Sequence, residues 1–338
     1  MRITKDYIST RKKPINLENS DNYLFENEYS KLIRSSHLKL SKNIYIDNIK
    51  LKKFKYFTVF YSYWRMNDQK LAYKIKFFIN DLKNYLIQGN NKQIVEINAA
   101  SWVIDVRSDQ FFHWTADVMQ RIEILGKFVN DYPILIPNSF LKYSYVTETL
   151  KALNIQYISY NQDDLLKIKN LYITSHGAQS GNYNDNLIKS IRDRFLNSIG
   201  KMPNSGTYIW ISRQKSKKRK IANFQEIKEV INRNGFQIVE FDELSFNEQL
   251  NISNNAEVIA GIHGAGLSHM FYSKNVKKII EVRAFDDNKN NCFYSMASAL
   301  NIDYYYFKCE CEGNPYDSDY ILNPEILDRF LKGFIENN

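Results

Sequence analysis

Apolar and polar positions change rhythm along this chain near residue 205. Beyond that point short apolar runs at 208–212, 237–239, 258–262, 278–282 and 304–307 have the length and β-branched content of strands. Between and after them, 223–234, 245–254, 290–300 and 323–335 carry helical apolar spacing, and Ser245 with Glu248 makes a capping box at the start of the second. Upstream the pattern is looser. Residues 94–100 and 101–106 predict a strand pair, 111–129 a long amphipathic helix, 133–137 a short buried strand and 147–153 a helix. Residues 155–158 and 171–173 predict strands and 184–199 a helix. Residues 54–64 read as a strand, and 68–88 as a helix with Leu71, Ile75, Phe78, Ile79, Leu82 and Leu86 on one stripe. Residues 1–60 are polar and basic with scattered aromatics and predict no defined elements.

Strands alternating with helices imply parallel sheets joined by crossovers. Gly200, Pro203 and Gly206 mark the best linker. The expected fold is therefore α/β, with two doubly wound, Rossmann-like domains facing a cleft. The expected boundaries are 1–199, with 1–60 poorly defined, then 200–322, then a last helix, 323–338, packing back on the first domain. Ligands of such sheets bind at the carboxyl ends of the strands.

At one such end the chain reads His263-Gly264-Ala265-Gly266-Leu267. A strand that breaks into small residues and restarts as a helical turn exposes main-chain N–H groups, which favour an anion. His263 adds a donor, and Glu281 ends the next strand, where a carboxylate can meet ribose hydroxyls. Phosphate on one side and a diol on the other suggest a nucleotide-linked ligand. The plainer alternative is that the glycines only permit tight packing.

Length of 338 residues and 44% hydrophobic content allow two domains with real cores. The net charge of +9 is uneven: residues 1–60 hold 13 Lys/Arg against 6 Asp/Glu, which is +7 of it. A second cluster, 213–220, has Arg213, Lys215, Lys217, Lys218, Arg219 and Lys220. Such surfaces attract phosphorylated ligands, anionic membrane or nucleic acid, but no nucleic-acid motif accompanies these cations. Cys292, Cys309 and Cys311 give no disulfide framework, which fits a reducing cytoplasm. The N-terminus lacks an apolar leader segment, and no apolar run nears the ~20 residues of a membrane span. The expectation is a cytoplasmic protein, with any membrane contact peripheral. Asp317-Ser-Asp319 has the form of a metal pair, but it lies in a polar loop, and no metal site is expected.

An ordered set of residues in the second half resembles the glycosyltransferase family 61 (DUF563) proteins: Ser212-Arg213, Arg219, Asn223, Glu226, Leu244 to Gln249, His263 to Leu267 and Ile280-Glu281-Val282. The resemblance covers about residues 205–285. Upstream, Phe112-His113-Trp114 with Asp117 is similar to the family's aromatic-His-Trp-x-x-Asp motif. That motif usually continues Leu-Pro-Arg, whereas here Arg121 is kept and the proline is not.

The resemblance implies a GT-B fold and inverting transfer from a nucleotide sugar, UDP-linked, with no cofactor and no catalytic metal. It implies a glycan or lipid-linked acceptor in bacterial surface polysaccharide (capsule or lipopolysaccharide) synthesis; the charge of the basic N-terminal region adds the expectation of peripheral contact at the inner face of the membrane. Its candidate catalytic residues are Asp117 as base, with His113 as the alternative base or an acceptor ligand. Its candidate donor residues are Arg213, Arg219, His263, Gly264, Ala265, Gly266, Leu267, Glu281, Ser245 and Gln249. From spacing alone, His113 and Asp117 share one helix face and equally describe a structural pair. The competing functions are a degenerate, non-catalytic family member and a basic nucleic-acid-binding protein.

Overall fold

A computed structural model of the chain describes residues 1–54, 57–60, 92–200, 205–311 and 313–337. The helix expected at 68–88 lies outside these residues. The chain forms two compact units, Met1–Tyr7 with Arg34–Ser180, and Ile8–Ile33 with Gly181–Asn338. The helix before residue 200 and residues 8–33 thus belong to the second unit, where the sequence pattern places both in the N-terminal domain.

Two short strands, β1 (Tyr7–Thr10) and β2 (Ser30–Ile33), pair with each other. The first unit is built on β3 (Leu38–Asp47), β4 (Lys50–Phe54), β5 (Phe57–Phe60), β6 (Ile94–Trp102), β7 (Ile134–Pro137), β8 (Tyr157–Tyr160) and β9 (Leu165–Thr174). Their order in one sheet is β5-β4-β3-β9-β6-β7-β8. The β9-β6-β7-β8 half is parallel, and the β5-β4-β3-β9 half is antiparallel. This sheet is mixed, which corrects the expectation of a doubly wound first domain. The physical reason is local. Asp47 pairs with Lys50 across a two-residue turn in which Asn48 adopts φ +57°, a left-handed conformation that asparagine tolerates. So tight a connection joins only antiparallel neighbours.

Helix α1 runs from Phe111 to Leu125 in three pieces: Phe111–His113, a π-helical turn at Trp114–Val118, and Met119–Leu125. Such wide turns are rare and often mark functional sites. Helix α2 is Ser144–Ala152.

The second unit begins its main run with α3 (Asp185–Ser198), followed by β10 (Thr207–Ile211), α4 (Phe224–Arg233), β11 (Phe236–Val239), α5 (Phe246–Asn255) and β12 (Ala256–Ile262). After a one-sided 3-10 turn at Ala265–Phe271 come β13 (Lys278–Ala284), α6 (Cys292–Ala299), β14 (Asp303–Cys311), β15 (Tyr320–Ile321) and α7 (Pro324–Glu336). The sheet order is β11-β10-β12-β13-β14-β15, parallel except at the last strand. Six of the seven residues of β12 are buried, as expected for a strand covered on both faces. On one face α4 and α7 pack through Ile227, Val230, Leu327, Leu331 and Phe334 against Trp210, Val258 and Ile280. The last helix therefore completes the core of the second unit. Asn323 caps it, and Pro324 opens it.

Counted from β10, the five parallel strands run 2-1-3-4-5 across the sheet. The chain leaves β10 for one neighbour, β11, and returns to the other side for β12. The strand order reverses between β10 and β12, and the loops after these strands part there to leave a crevice.

Residues 8–33 wrap the far edge of this sheet. Ile15 N donates to Tyr304 O at 2.9 Å, and the Asn16 side chain bridges the main chain of Tyr306. Phe25 is fully buried among the rings of Tyr294, Tyr304 and Tyr306. Aromatics scattered through a polar stretch follow no period, so no element was expected there.

Candidate functional site

The reversal point holds Arg213, two residues beyond β10, and the loop His263–Leu267, which follows β12. Arg213 reaches across through Nε to Arg219 O and through Nη2 to Lys218 O, both at 3.3 Å. Arg219 sits at φ +59° and donates through Nη1 to His263 O at 3.0 Å. Its Nε is buried and has no hydrogen-bond partner. Neither guanidinium meets a carboxylate in an ion pair among the described residues. Burial, and after it the like charge of Arg219, lower the Arg213 guanidinium to about 10.

The small residues of the loop have a visible purpose. Gly264 is extended, with φ 175°, so its backbone does not require glycine. A Cβ there would collide with Nη1 of Arg213. At Gly266 a Cβ would come within 2.9 Å of the Ile211 side chain. The loop thus lies directly on the residues that end β10. Ile211, Ser212, Arg213, Asp242, Gly264, Gly266 and Leu267 line a cavity of about 40 Å³. That volume suits a few anion oxygens, not a whole nucleotide. A wider cavity of about 830 Å³ lies along β14 and the start of α7, and none of the expected donor residues lines it.

His263 and Glu281 come together behind the loop. The imidazole Nδ1–H donates to Glu281 Oε1, and Tyr304 OH donates to Glu281 Oε2 at 2.5 Å. Glu281 is sealed from solvent, so in this arrangement it supports His263 and does not offer an open acceptor to a ribose. Burial pushes its carboxyl up, but His263, Arg283 and Tyr304 outweigh burial and hold it below the usual carboxylate value. Asn290 Nδ2 donates to His263 Nε2 at 2.7 Å, and Phe293 packs on the ring. Arg283 is buried beside this pair, bonded to Asn291 and Tyr304 and capped by the Phe25 ring at 4.8 Å. Tyr304 and Asn290 were absent from the sequence-derived site. Tyr304 was legible as a strand residue, but its partner is 23 positions away.

Ser245 and Gln249 are occupied elsewhere. Ser245 and Glu248 form the capping box of α5. Gln249 donates to Phe241 O and Leu244 O and faces His269 Nε2 at 2.9 Å. Both residues hold the 241–246 turn, which borders the small cavity through Phe241 and Asp242. Burial lowers His269 to about 4. Asp317 binds Lys218 Nζ, and Asp319 accepts from Lys220 N at 2.9 Å, so this acidic pair tethers the cationic loop.

The other expected residues lie in the first unit. His113 Nδ1 meets Asp117 Oδ2 at 2.8 Å on the π turn of α1. Ser180 Oγ donates to the same oxygen at 3.1 Å, a contact 63 residues distant that no spacing signals. Trp114 is fully buried and donates to Thr149 Oγ1 at 2.9 Å. Arg121 is buried, binding Thr174 Oγ1 at 3.0 Å and the carbonyls of Trp102 and Thr174. Burial lowers its guanidinium to about 10, against the charges of Asp105 and Asp117. This arginine ties α1 to the ends of β6 and β9.

These are the features of an α/β protein with a small arginine-lined notch at a topological switch point of its second unit and a His–Asp pair, its carboxylate buried, in its first. The sequence profile of the Glycosyltransferase 61 family matches residues 111–280, half of the chain, and the chain belongs to that family. The matched span contains both pairs, His113 with Asp117 and Arg213 with Arg219, and the loop at 263–267. Among curated proteins, the EGF domain-specific O-linked N-acetylglucosamine transferase of Drosophila melanogaster is 29% identical over 107 residues, 31% of this chain and 20% of that protein. The protein of the same description from Gallus gallus is 33% identical over 64 residues, 19% of this chain and 12% of its own length. The matches thus span a fifth or less of these relatives. No helix among the described residues is long and apolar enough to cross a membrane.

Proposed function

We propose that this glycosyltransferase is an inverting, GT-B type enzyme that takes its sugar from a nucleoside diphosphate donor, UDP-linked in the first instance. The observation that supports this most is the pair Arg213 and Arg219. Arg213 lines the small notch at the strand-order reversal together with Asp242, and Arg219 is bonded to the main chain of the neighbouring loop; neither guanidinium is ion-paired to a carboxylate among the described residues, and one buried Arg219 nitrogen is unsatisfied. Like charges in a partly desolvated site repel, and a diphosphate is the ligand that reverses the sign of that interaction. In an inverting displacement the acceptor oxygen attacks the anomeric carbon as the diphosphate leaves. The reaction needs a proton acceptor and fixed positive charge at the leaving group. The arginines supply the charge in this reading, without a metal, and the His113–Asp117 pair supplies the base. The acceptor in this reading is a glycan or lipid-linked oligosaccharide of a bacterial surface polysaccharide, met at the cytoplasmic face of the membrane.

Thermal shift of the purified chain against UDP, GDP, CMP and ADP, with and without EDTA, tests the donor half. A nucleotide at a hundred times its Kd adds roughly 2.7 kcal/mol of stability. The expected result is a shift with one nucleotide that EDTA does not remove. No shift with any of the four would sink the reading.

A further inference from the structure

We propose that His113, through Nε2, is the group that takes the acceptor proton, and that Asp117 and Ser180 are positioning residues for it. This rests on the transfer reaction proposed above and replaces the expectation that Asp117 is the base. Asp117 is 5% exposed, and its Oδ2 is engaged by two donors, His113 Nδ1–H and Ser180 Oγ–H. His113 Nε2 has no hydrogen-bond partner among the described residues and is not among the sealed polar atoms. A carboxylate that accepts from Nδ1 fixes the tautomer with the proton on Nδ1. The lone pair is then on Nε2, the logic by which a buried acid orients a catalytic imidazole.

The local structure serves this arrangement. The π turn carries His113 at its entry and Asp117 within it, and the buried Trp114 indole, held by Thr149, anchors the turn from behind. Gly177 lies where a Cβ would collide with the side chain of Gln120. The segment leading to Ser180 therefore lies close against α1, and Ser180 reaches Asp117. In the reaction the acceptor hydroxyl proton moves to Nε2 while that oxygen bonds to the anomeric carbon. The bond from that carbon to the diphosphate oxygen breaks, and its electron pair leaves with the diphosphate. Asp117 stays ionised beside the imidazolium, so no further co-reactant is needed.

The test is chemical rescue on the full chain, with UDP-GlcNAc as the probe, water or glycan as acceptor, and released UDP as the readout. His113→Ala and His113→Gln should each lose about 10²-fold or more of turnover, the usual worth of a general base. Their UDP affinity should match wild type, which shows that both variants are folded. Added imidazole should restore turnover to His113→Ala about tenfold or more. Ser180→Ala should lower kcat by a few-fold without changing KM. Formate should not restore Asp117→Ala. Restoration of Asp117→Ala by formate, or near-normal turnover in His113→Ala, overturns the assignment. Failure of wild type to bind any nucleotide would instead strike the transfer reading itself.

Discussion

Replacing Arg213 by methionine should separate what the notch costs the fold from what it does for the ligand. The guanidinium is lowered from its usual value to about 10, by burial first and by Arg219 second. The sign follows from linkage. A base held below its unfolded value destabilises the folded state wherever it is charged in both states, here at every pH below about 10, and the penalty fades as pH rises through that value. Each tenfold change in proton affinity is worth about 1.4 kcal/mol, so the penalty is roughly 3 kcal/mol before allowance for its partly exposed position. Against it stand two hydrogen bonds to main-chain oxygens, worth about 1 kcal/mol each. Methionine keeps the aliphatic stem that packs beside Gly264. The empty protein should therefore be unchanged or stabler by about 1 kcal/mol, a rise of about 2–4 °C in Tm for a domain of this size. UDP affinity should fall by about 10- to 100-fold, the loss of a charge-assisted contact of roughly 1.5–3 kcal/mol. Calorimetric Tm and titration of UDP on the same preparations check both numbers. A clear drop in Tm together with unchanged UDP affinity would show that Arg213 is a structural tie and would refute the anion notch.

Three more outcomes follow from the same geometry. Gly264→Ala places a methyl against Nη1 of Arg213, the movable end of a long side chain, so UDP affinity should fall severalfold while Tm moves little. Unaltered affinity would mean the guanidinium does not sit where the donor binds. Glu281→Gln leaves His263 without its buried carboxylate and should cost about 3–5 kcal/mol in denaturant titrations near pH 7. Since Glu281 is held below its usual value, its contribution is present above about pH 4.5 and lost as pH falls through the lower folded value; the variant should lack that part of the acid limb. Ser245→Ala removes a capping box and should cost about 1 kcal/mol with UDP affinity intact. A matching loss of affinity would give Ser245 a direct role at the donor.

How far the fold was legible depended on whether burial followed a period. In the second unit it did: β12 is a nearly unbroken apolar run, α4 and α7 show one-sided stripes, and Ser245 and Asn323 announce their helices. In the first unit it did not. In β3, Ser41, Lys42 and Asn43 interrupt the apolar alternation, and Asn43 has φ +53°, so a ten-residue strand reads as irregular. The reverse error occurs at 94–106. One strand, Ile94–Trp102, is followed by Val103 and Ile104, which are buried without belonging to a strand, and the apolar run was read as a second one.

For the site, residue types at strand ends were legible and their partners were not. Arg213 and the 263–267 loop each announce a phosphate-friendly element. Their meaning lies in a fact no local pattern contains, that β10 and β12 are neighbours although β11 comes between them in the chain. That crossing sets the glycine loop on Ile211 and Arg213, and it turns two separate motifs into one notch. The same reasoning explains the misreading of Glu281. At the end of β13 an exposed carboxylate was expected. The adjacency of β12, β13 and β14 instead puts His263 on one side of it and Tyr304 on the other, and residues 8–33 close over the edge with Phe25. A buried carboxylate so enclosed is costly to form and costlier to leave without its partners. Its location directly behind the loop that carries Arg219's carbonyl partner makes it a brace for the loop that borders the notch.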